Sequence, residues 1–335
     1  MNAGSSPEFD WLNKNGIHLQ RFMTSIVKQK STSSAMLTEV LEGLQKPQKT
    51  LPSKYFYDKR GSELFEKICT LDEYYLTRTE LEIMQHNIRE IASTLGKHVQ
   101  LIELGSGSSL KTRLLLDHLD DIHSYVPVDI SEEFLQNVTQ DLQKEYPDLL
   151  IEPIAADYTK PFDLSESPEG VKKLFYFPGS TIGNFTRQKA ADFIGLISNL
   201  IQEKGGLLIG FDLIKDREKL IAAYDDSKGV TAAFNKNILV RINRELNADF
   251  DPDQFKHRAV FNEKESRIEM HLVSLEEQSV TICREVICFE EGETIHTENS
   301  HKYSLRSFRE MSAPFFENVQ TWMDDEQLFA IQFLS

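Results

Sequence analysis

Five short apolar runs, Gln100 to Leu104, Ser124 to Asp129, Leu150 to Ala155, Lys173 to Phe177 and Gly206 to Asp212, are each separated by helical or turn-rich sequence. Runs this short read as strands, and runs this apolar suit strands buried on both faces of a parallel sheet. Strand and crossover in repeated order predict an α/β fold with a doubly wound sheet, whose ligands sit at the carboxyl ends of the strands. With 335 residues, 40% of them hydrophobic and 27% charged, the chain has material for one large or two modest domains.

Before the runs, Ser62 to Ile68 reads as a helix starting after Gly61, and Thr79 to Ile91 places Leu81, Met84, Ile88 and Ile91 at helical intervals. The segment Asp72 to Arg78 between them is an aromatic linker. After Asp212 the alternation stops. Asp216 to Tyr224 and Thr231 to Leu246 read as helices; Arg267 to Ser274, Val280 to Phe289 and Thr294 to Leu305 read as consecutive antiparallel strands, with Glu291, Gly292 and Glu293 as one turn. A block this large is more than a sheet connection, and predicts an inserted α+β substrate-binding lobe. Ser307 to Glu317 reads as a last helix and Gln327 to Leu334 as a last strand. The expected division is a ligand-binding sheet domain over 80–213 plus 304–335, a substrate domain over 35–79 plus 214–303, and a loosely ordered polar arm over 1–34.

A formal net charge of -16 argues against nucleic acid and anionic membranes as partners. No apolar stretch approaches the roughly 20 residues of a membrane span. The amino terminus lacks the basic and apolar regions of a secretory signal, so a cytoplasmic location is expected and the sequons at Asn137 and Asn184 are expected to be idle. Cys69, Cys283 and Cys288 have no metal-binding spacing and read as reduced thiols, with no metal site expected. The sequence leaves the oligomeric state open and is compatible with a monomer.

The first apolar run carries Glu103 and closes on Gly105-Ser106-Gly107-Ser108-Ser109, a glycine turn that lacks the third glycine of a dinucleotide site. About one βα unit later a second run ends in Asp129. A preceding acid, a two-glycine turn and a distal acid fit S-adenosylmethionine, which has no phosphate to cradle but offers a ribose diol to Asp129. At the end of the third run stand Asp157 and Tyr158, a carboxylate for an exocyclic amine and a ring for the adenine face; an aspartate capping the next turn is the structural alternative. The fourth run ends in Phe177-Pro178-Gly179-Ser180-Thr181-Ile182-Gly183-Asn184, whose asparagine pairs a donor with an acceptor.

Ser53 to Phe65, Glu73 to Glu80, Glu103 to Thr112 and Phe177 to Asn184, in that order, make the chain resemble the histidine Nα-methyltransferases of ergothioneine biosynthesis, from about Leu51 to the carboxyl terminus. The resemblance implies a Rossmann-like class I methyltransferase sheet. It also implies three SN2 methyl transfers from S-adenosylmethionine to L-histidine, giving hercynine. Gly105, Lys111, Asp129, Asp157 and Tyr158 match cofactor positions, beside Glu103 and Gly107 of the glycine turn. Tyr57, Phe65, Tyr74 (rather than Tyr75), Asn184, Tyr224 and Phe234 match positions around the amino acid. Asn184 and Tyr224 would hold its amino and carboxylate groups, with Tyr57 and Asn184 at the reacting nitrogen. Met270 matches a wall position. Glu298 and Ser300, two apart on a strand and so on one face, match the residues that bind the two imidazole nitrogens. His296 and His301 flank that motif without an assigned role. Because related fungal enzymes methylate tryptophan on a similar scaffold, another amino acid stays open as acceptor, as does a catalytically silent S-adenosylmethionine-binding regulator.

Overall fold

Val99–Leu104 is buried at every position and Gly205–Asp212 at all but its first, the pattern of strands covered on both faces, whereas Leu150 of the third run is half exposed. The computed structural model describes residues 34–335 apart from 106–109, 131, 165–166, 202–204 and the side chains of 133 and 134. The arm expected at the amino terminus thus lies, save for Ser34, outside the described residues, as does Gly107. In chain order the elements are α1 (34–44), β1 (Lys49–Thr50), α2 (Lys59–Cys69), α3 (Tyr75–Leu95), β2 (Val99–Leu104), α4 (Leu110–His118), β3 (Ile122–Asp129) and α5 (Glu132–Glu145). Then follow β4 (Leu150–Ile151), β5 (Ile154–Ala155), β6 (Lys172–Phe177), α6 (Arg187–Ile201), β7 (Gly205–Asp212), α7 (Arg217–Ala222) and α8 (Val230–Leu246). The chain ends with β8 (Phe255–Asn262), β9 (Arg267–Ser274), β10 (Gln278–Ile282), β11 (Glu285–Phe289), β12 (Thr294–His301), α9 (Leu305–Ser312), β13 (Val319–Met323) and β14 (Phe329–Leu334).

The chain divides into two compact units. The larger comprises Lys59–Phe234, His257–Met270 and Glu298–Ser335. Its sheet runs β13-β14-β7-β6-β2-β3-β4, with β5 also on β3. The five runs pair in parallel, whereas β14 lies antiparallel to β7, with Ile331 opposite Gly210, and β13 antiparallel to β14. Side-chain alternation sorts the two faces. Ile102, Leu104, Phe175, Phe177, Ile209 and Phe211 pack with Phe193, Ile194 and Ile197 of α6. On the other face Tyr176 donates to the Met84 sulfur of α3 at 3.2 Å. Helices on both faces make the sheet doubly wound, as the sequence predicts. Strand order turns outward on either side of β2, so the ligand crevice falls at the carboxyl ends of β2, β3 and β6.

The smaller unit comprises the described residues up to Asp58 with Asn235–Lys256 and His271–Thr297. Here Phe250, Phe255 and Phe289 form a ring cluster with centroids 5.4 to 6.2 Å apart. Lys49 and Thr50 pair in parallel with Ile295 and His296. Arg244 and Asn237 of α8 both donate to the Asp58 carboxylate, each at 2.8 Å.

Several expected elements differ. Val280 to Phe289 is a hairpin, β10 and β11, because Cys283 takes φ +56° and reverses the chain inside the apolar stretch. Leu150 to Ala155 breaks into two short strands, both on β3. Helix α2 starts at Lys59, ahead of Ser62. The run from Thr294 stops as a strand at His301, because Ser304 and Ser307 form a reciprocal cap that starts α9, and Pro314 follows its end. Strands β8 and β13 are additional; their charged and polar interruptions hide an alternating pattern.

Phe308 of α9 is fully buried and stacks on Phe211, with ring centroids 3.9 Å apart. Phe308→Ala is expected to destabilise the protein by about 3–5 kcal/mol. Urea unfolding should show this as a lower midpoint at unchanged slope.

Candidate active site

The carboxyl ends of β2, β3 and β5 stand side by side. The Gly105 N–H donates to the Val128 carbonyl at 2.8 Å and the Ala156 N–H to the Asp129 carbonyl at 2.9 Å. This register brings Gly105, Asp129, Asp157 and Tyr158 together. Gly105 takes φ +76°, a conformation that favours glycine, and the space its Cβ would occupy borders the Tyr158 hydroxyl at 3.6 Å, an ordinary contact. Tyr158 is fixed edge-on to Phe177 at 5.7 Å. Burial, with Asp129 and Asp157 nearby, holds its hydroxyl protonated well past the usual range. Asp157 also does what a turn aspartate does, accepting from the Thr159 N–H at 3.1 Å.

Glu103 faces inward. It is 3% exposed, accepts from Thr112 at 2.8 Å and makes a close bond with the Tyr125 hydroxyl. Burial raises its carboxyl above the ordinary range against the pull of those bonds. Lys111 pairs with Glu80 of α3, which is 1% exposed and also accepts the Gly179 N–H at 3.0 Å. Glu80 therefore ties the start of α4 to the tip of β6.

Beyond that tip, Thr181–Asn184 form a short 3-10 turn ending in Asn184. The turn sits close to β12: a Cβ on Gly183 would lie 2.9 Å from the His301 carbonyl and 3.4 Å from Ser300 Oγ. Four of the expected acceptor-site aromatics are in sequence of contact. Phe65 lies 5.9 Å from Phe234 and 6.2 Å from Tyr74, and Tyr74 lies 6.0 Å from Tyr224, by ring centroids. Tyr224 reaches Ser300 through a 2.7 Å bond between their hydroxyls. Met270 and Glu298 are buried in the same unit, and burial raises the Glu298 carboxyl to about 8, against the field of Lys302. Tyr57 belongs to the smaller unit and is 36% exposed.

Sequence reading misses the charged cluster behind this site. Asp212, the last residue of β7, is fully buried and accepts from Tyr75 at 2.7 Å, from Lys302 at 2.7 Å and from Lys215. Its N–H donates to Ser180 Oγ at 3.0 Å. Tyr74 and Tyr75 thus diverge, one to the aromatic group and one to Asp212. The missed signal is the strand period itself, since Glu298 and Ser300 continue to Lys302. Of the flanking histidines, His296 stacks on His271 at 4.8 Å, and His301 is buried with its ring held at about 4 by that burial. The three cysteines are free thiols. Among the described residues no helix is long and apolar enough to cross a membrane.

A parallel sheet of this order with one antiparallel strand next to its edge, and a glycine turn, acids and an aromatic ring at adjoining strand ends, defines a class I S-adenosylmethionine-dependent methyltransferase. The chain belongs to the histidine-specific, S-adenosylmethionine-dependent methyltransferase family, whose profile matches residues 36–335. It is 41% identical over 303 residues to a histidine N-alpha-methyltransferase of Mycobacterium tuberculosis, covering 89% of this chain and 94% of that one. It is also 41% identical over 300 residues to a histidine N-alpha-methyltransferase of Mycolicibacterium smegmatis, covering 88% and 92%. Ergothioneine biosynthesis protein 1 of Schizosaccharomyces pombe is 33% identical over 226 residues, which are 64% of this chain and 29% of that protein.

The raised Glu298 carboxyl has a consequence for stability without substrate. A folded value of about 8 lies above the unfolded one near 4.3. The folded state therefore holds the extra proton between them, and the contribution to stability is full below the lower value and lost as pH rises through the higher. The unfolding free energy of the wild type minus that of Glu298→Gln should accordingly fall between about pH 5 and pH 8. A difference that is flat or rises with pH would contradict the burial assigned to this carboxyl.

Proposed function

We propose that this protein methylates the α-amino nitrogen of L-histidine three times at the expense of S-adenosylmethionine, yielding hercynine, a step of ergothioneine biosynthesis. The observation that carries the reading is identity of 41% to two histidine N-alpha-methyltransferases along nearly the whole of each chain. The strand ends suit the donor. Gly105 leaves open the space a Cβ would fill in front of Tyr158, and Asp129 and Asp157 offer carboxylates to a ribose diol and an exocyclic amine. Lys111, held by Glu80, completes this side. S-adenosylmethionine, when bound, supplies an electrophilic methyl on a sulfonium.

The residues on the acceptor side then have four tasks. Asn184 orients the amine through its paired donor and acceptor, leaving the nitrogen lone pair free. Tyr224 takes the carboxylate, and Glu298 with Ser300 takes the ring nitrogens. The aromatic group, Phe65, Tyr74, Tyr224 and Phe234, faces a nitrogen that gains methyl groups and a permanent charge; ring faces favour such a cation by roughly 0.5–2 kcal/mol each. An amine carrying three methyls has no N–H left to donate, so an aromatic wall suits the product as well as the substrate.

Mass spectrometry of each amino acid incubated with the protein and S-adenosylmethionine tests the reading. A gain of three methyls on histidine alone is expected, and no gain on histidine would sink it. Glu298→Ala should weaken histidine binding by about 0.5–1.5 kcal/mol, the worth of a hydrogen bond from an uncharged acid, and leave S-adenosylmethionine binding nearly as it is. Calorimetry with each ligand separates the two.

A further inference from the structure

Lys302 is fully buried, and its ammonium has three N–H groups for three acceptors: Asp212 at 2.7 Å, Ser300 Oγ at 2.8 Å and the Tyr224 hydroxyl at 3.0 Å. The two hydroxyls are themselves joined at 2.7 Å. Counting hydrogens fixes what this group offers a ligand. The ammonium donates to both oxygens, one O–H is used between them, and one O–H remains. Charge points the same way. Lys302 and Lys215 share the single carboxylate of Asp212. Burial lowers Lys215 only to about 8, against the pull of Asp212, and at Lys302 burial, the largest single effect, is overcome by Asp212 and Tyr224 together, so both stay largely cationic at neutral pH. Two further acids act on them. Asp324, partly exposed, adds its field at Lys215, and Glu298, beside Lys302, keeps its proton through neutral pH. The buried centre thus carries one positive charge in excess of its buried carboxylate. The strongest use of the remaining O–H is toward an anion, because a charge-assisted hydrogen bond is about twice as strong as a neutral one.

We propose that Lys302 is a positioning residue for the α-carboxylate of the substrate: a buried cation, pinned by Asp212, that aims the Tyr224 hydroxyl at that group. The inference rests on the amino-acid-methylating reading above and deepens it. With Tyr224 donating outward, Ser300 donates to Tyr224, and its remaining lone pair is left to accept a ring N–H. The carboxylate and ring subsites are therefore wired through one ammonium, and a ligand must match both polarities at once.

The test compares histidine with histidinamide, which keeps the ring and amine but carries no anion. Binding is measured by calorimetry in wild type, Lys302→Met and Lys302→Gln; the glutamine retains donors for Asp212 while removing the charge. Both variants are expected to weaken histidine at least about tenfold and histidinamide less than about threefold, with S-adenosylmethionine affinity within about twofold of wild type. Tyr224→Phe should give the same pattern, and the double variant Lys302→Met with Tyr224→Phe should lose little more than either single one, because both act through one hydroxyl. Equal weakening of acid and amide, or undiminished histidine binding, overturns the proposal. Should neither Lys302 variant fold, wild type decides: histidinamide binding within about threefold of histidine overturns it, and binding at least about tenfold weaker bears it out. A wild type that binds no histidine removes the reading beneath the inference, whereas indifference of the Lys302 variants to the carboxylate removes the inference alone.

Discussion

Asp212 closes the carboxyl end of β7 with a buried carboxylate, and the segments that carry Tyr75, Ser180, Lys215 and Lys302 meet at it. Its carboxylate receives Tyr75 from the start of α3, Lys215 from the segment after β7 and Lys302 from just beyond β12, while its N–H holds Ser180 at the tip of β6. A buried ion pair is weak evidence for stability, since desolvation consumes most of the attraction. Its value is geometric. Removing one partner leaves an uncompensated charge at a cost of about 3–5 kcal/mol, so four chain segments are held to one arrangement.

Glu80 and Glu103 play the same part near the carboxyl ends of β2 and β6. Each is a buried carboxylate with more than one donor, placed where a strand end meets a helix start. Glu103 gathers Thr112 and Tyr125 under the glycine turn; Glu80 gathers Lys111 and the Gly179 N–H. A carboxylate has about four lone-pair sites and no hydrogens, so it suits the joining of several donors that would otherwise be buried without acceptors. Glu80 thereby holds the turn at Gly179, and Gly183 just beyond it brings its backbone against β12, where a Cβ would lie 2.9 Å from the His301 carbonyl.

The sheet was legible because its signal is local and redundant: five apolar runs in strand-crossover order state the architecture several times over. Gly105, Asp129, Asp157 and Tyr158 were legible for the same reason, since strand register places their motifs side by side once the sheet is known. Elements whose signal competes with another were misread. The hairpin at Cys283 interrupts an apolar stretch without glycine or proline, and β8 and β13 interleave apolar with charged or polar residues. Asp212 and Lys302 were hidden for a different reason. A buried aspartate and a buried lysine look like surface residues until they are known to face each other, and they are 90 residues apart in a sequence that gives neither a motif. Glu80 closes a resembling segment, yet its partners Lys111 and Gly179 come only from the fold.

On the proposed reading, burial also bears on the choice of ring. Glu298 enters the encounter as a largely protonated acid near neutral pH, and Ser300, already receiving Lys302 and donating to Tyr224, meets the ring as an acceptor. A neutral imidazole has one ring N–H and one bare nitrogen, which answers an acceptor and a donor together and brings no further net charge into the site. An indole supplies the N–H but has no ring acceptor for the proton of the acid. Rejection by a missing hydrogen-bond partner is stronger than rejection by size, because a site built to hydrogen-bond a substrate group discriminates by up to about 10⁴–10⁵-fold, where a spare methylene in an apolar site is worth only about 10–200-fold. Ring selectivity on β12 thus follows from the partners that Glu298 and Ser300 still have to find, an acceptor for the one and a donor for the other, and the substrate ring has to fit that polarity.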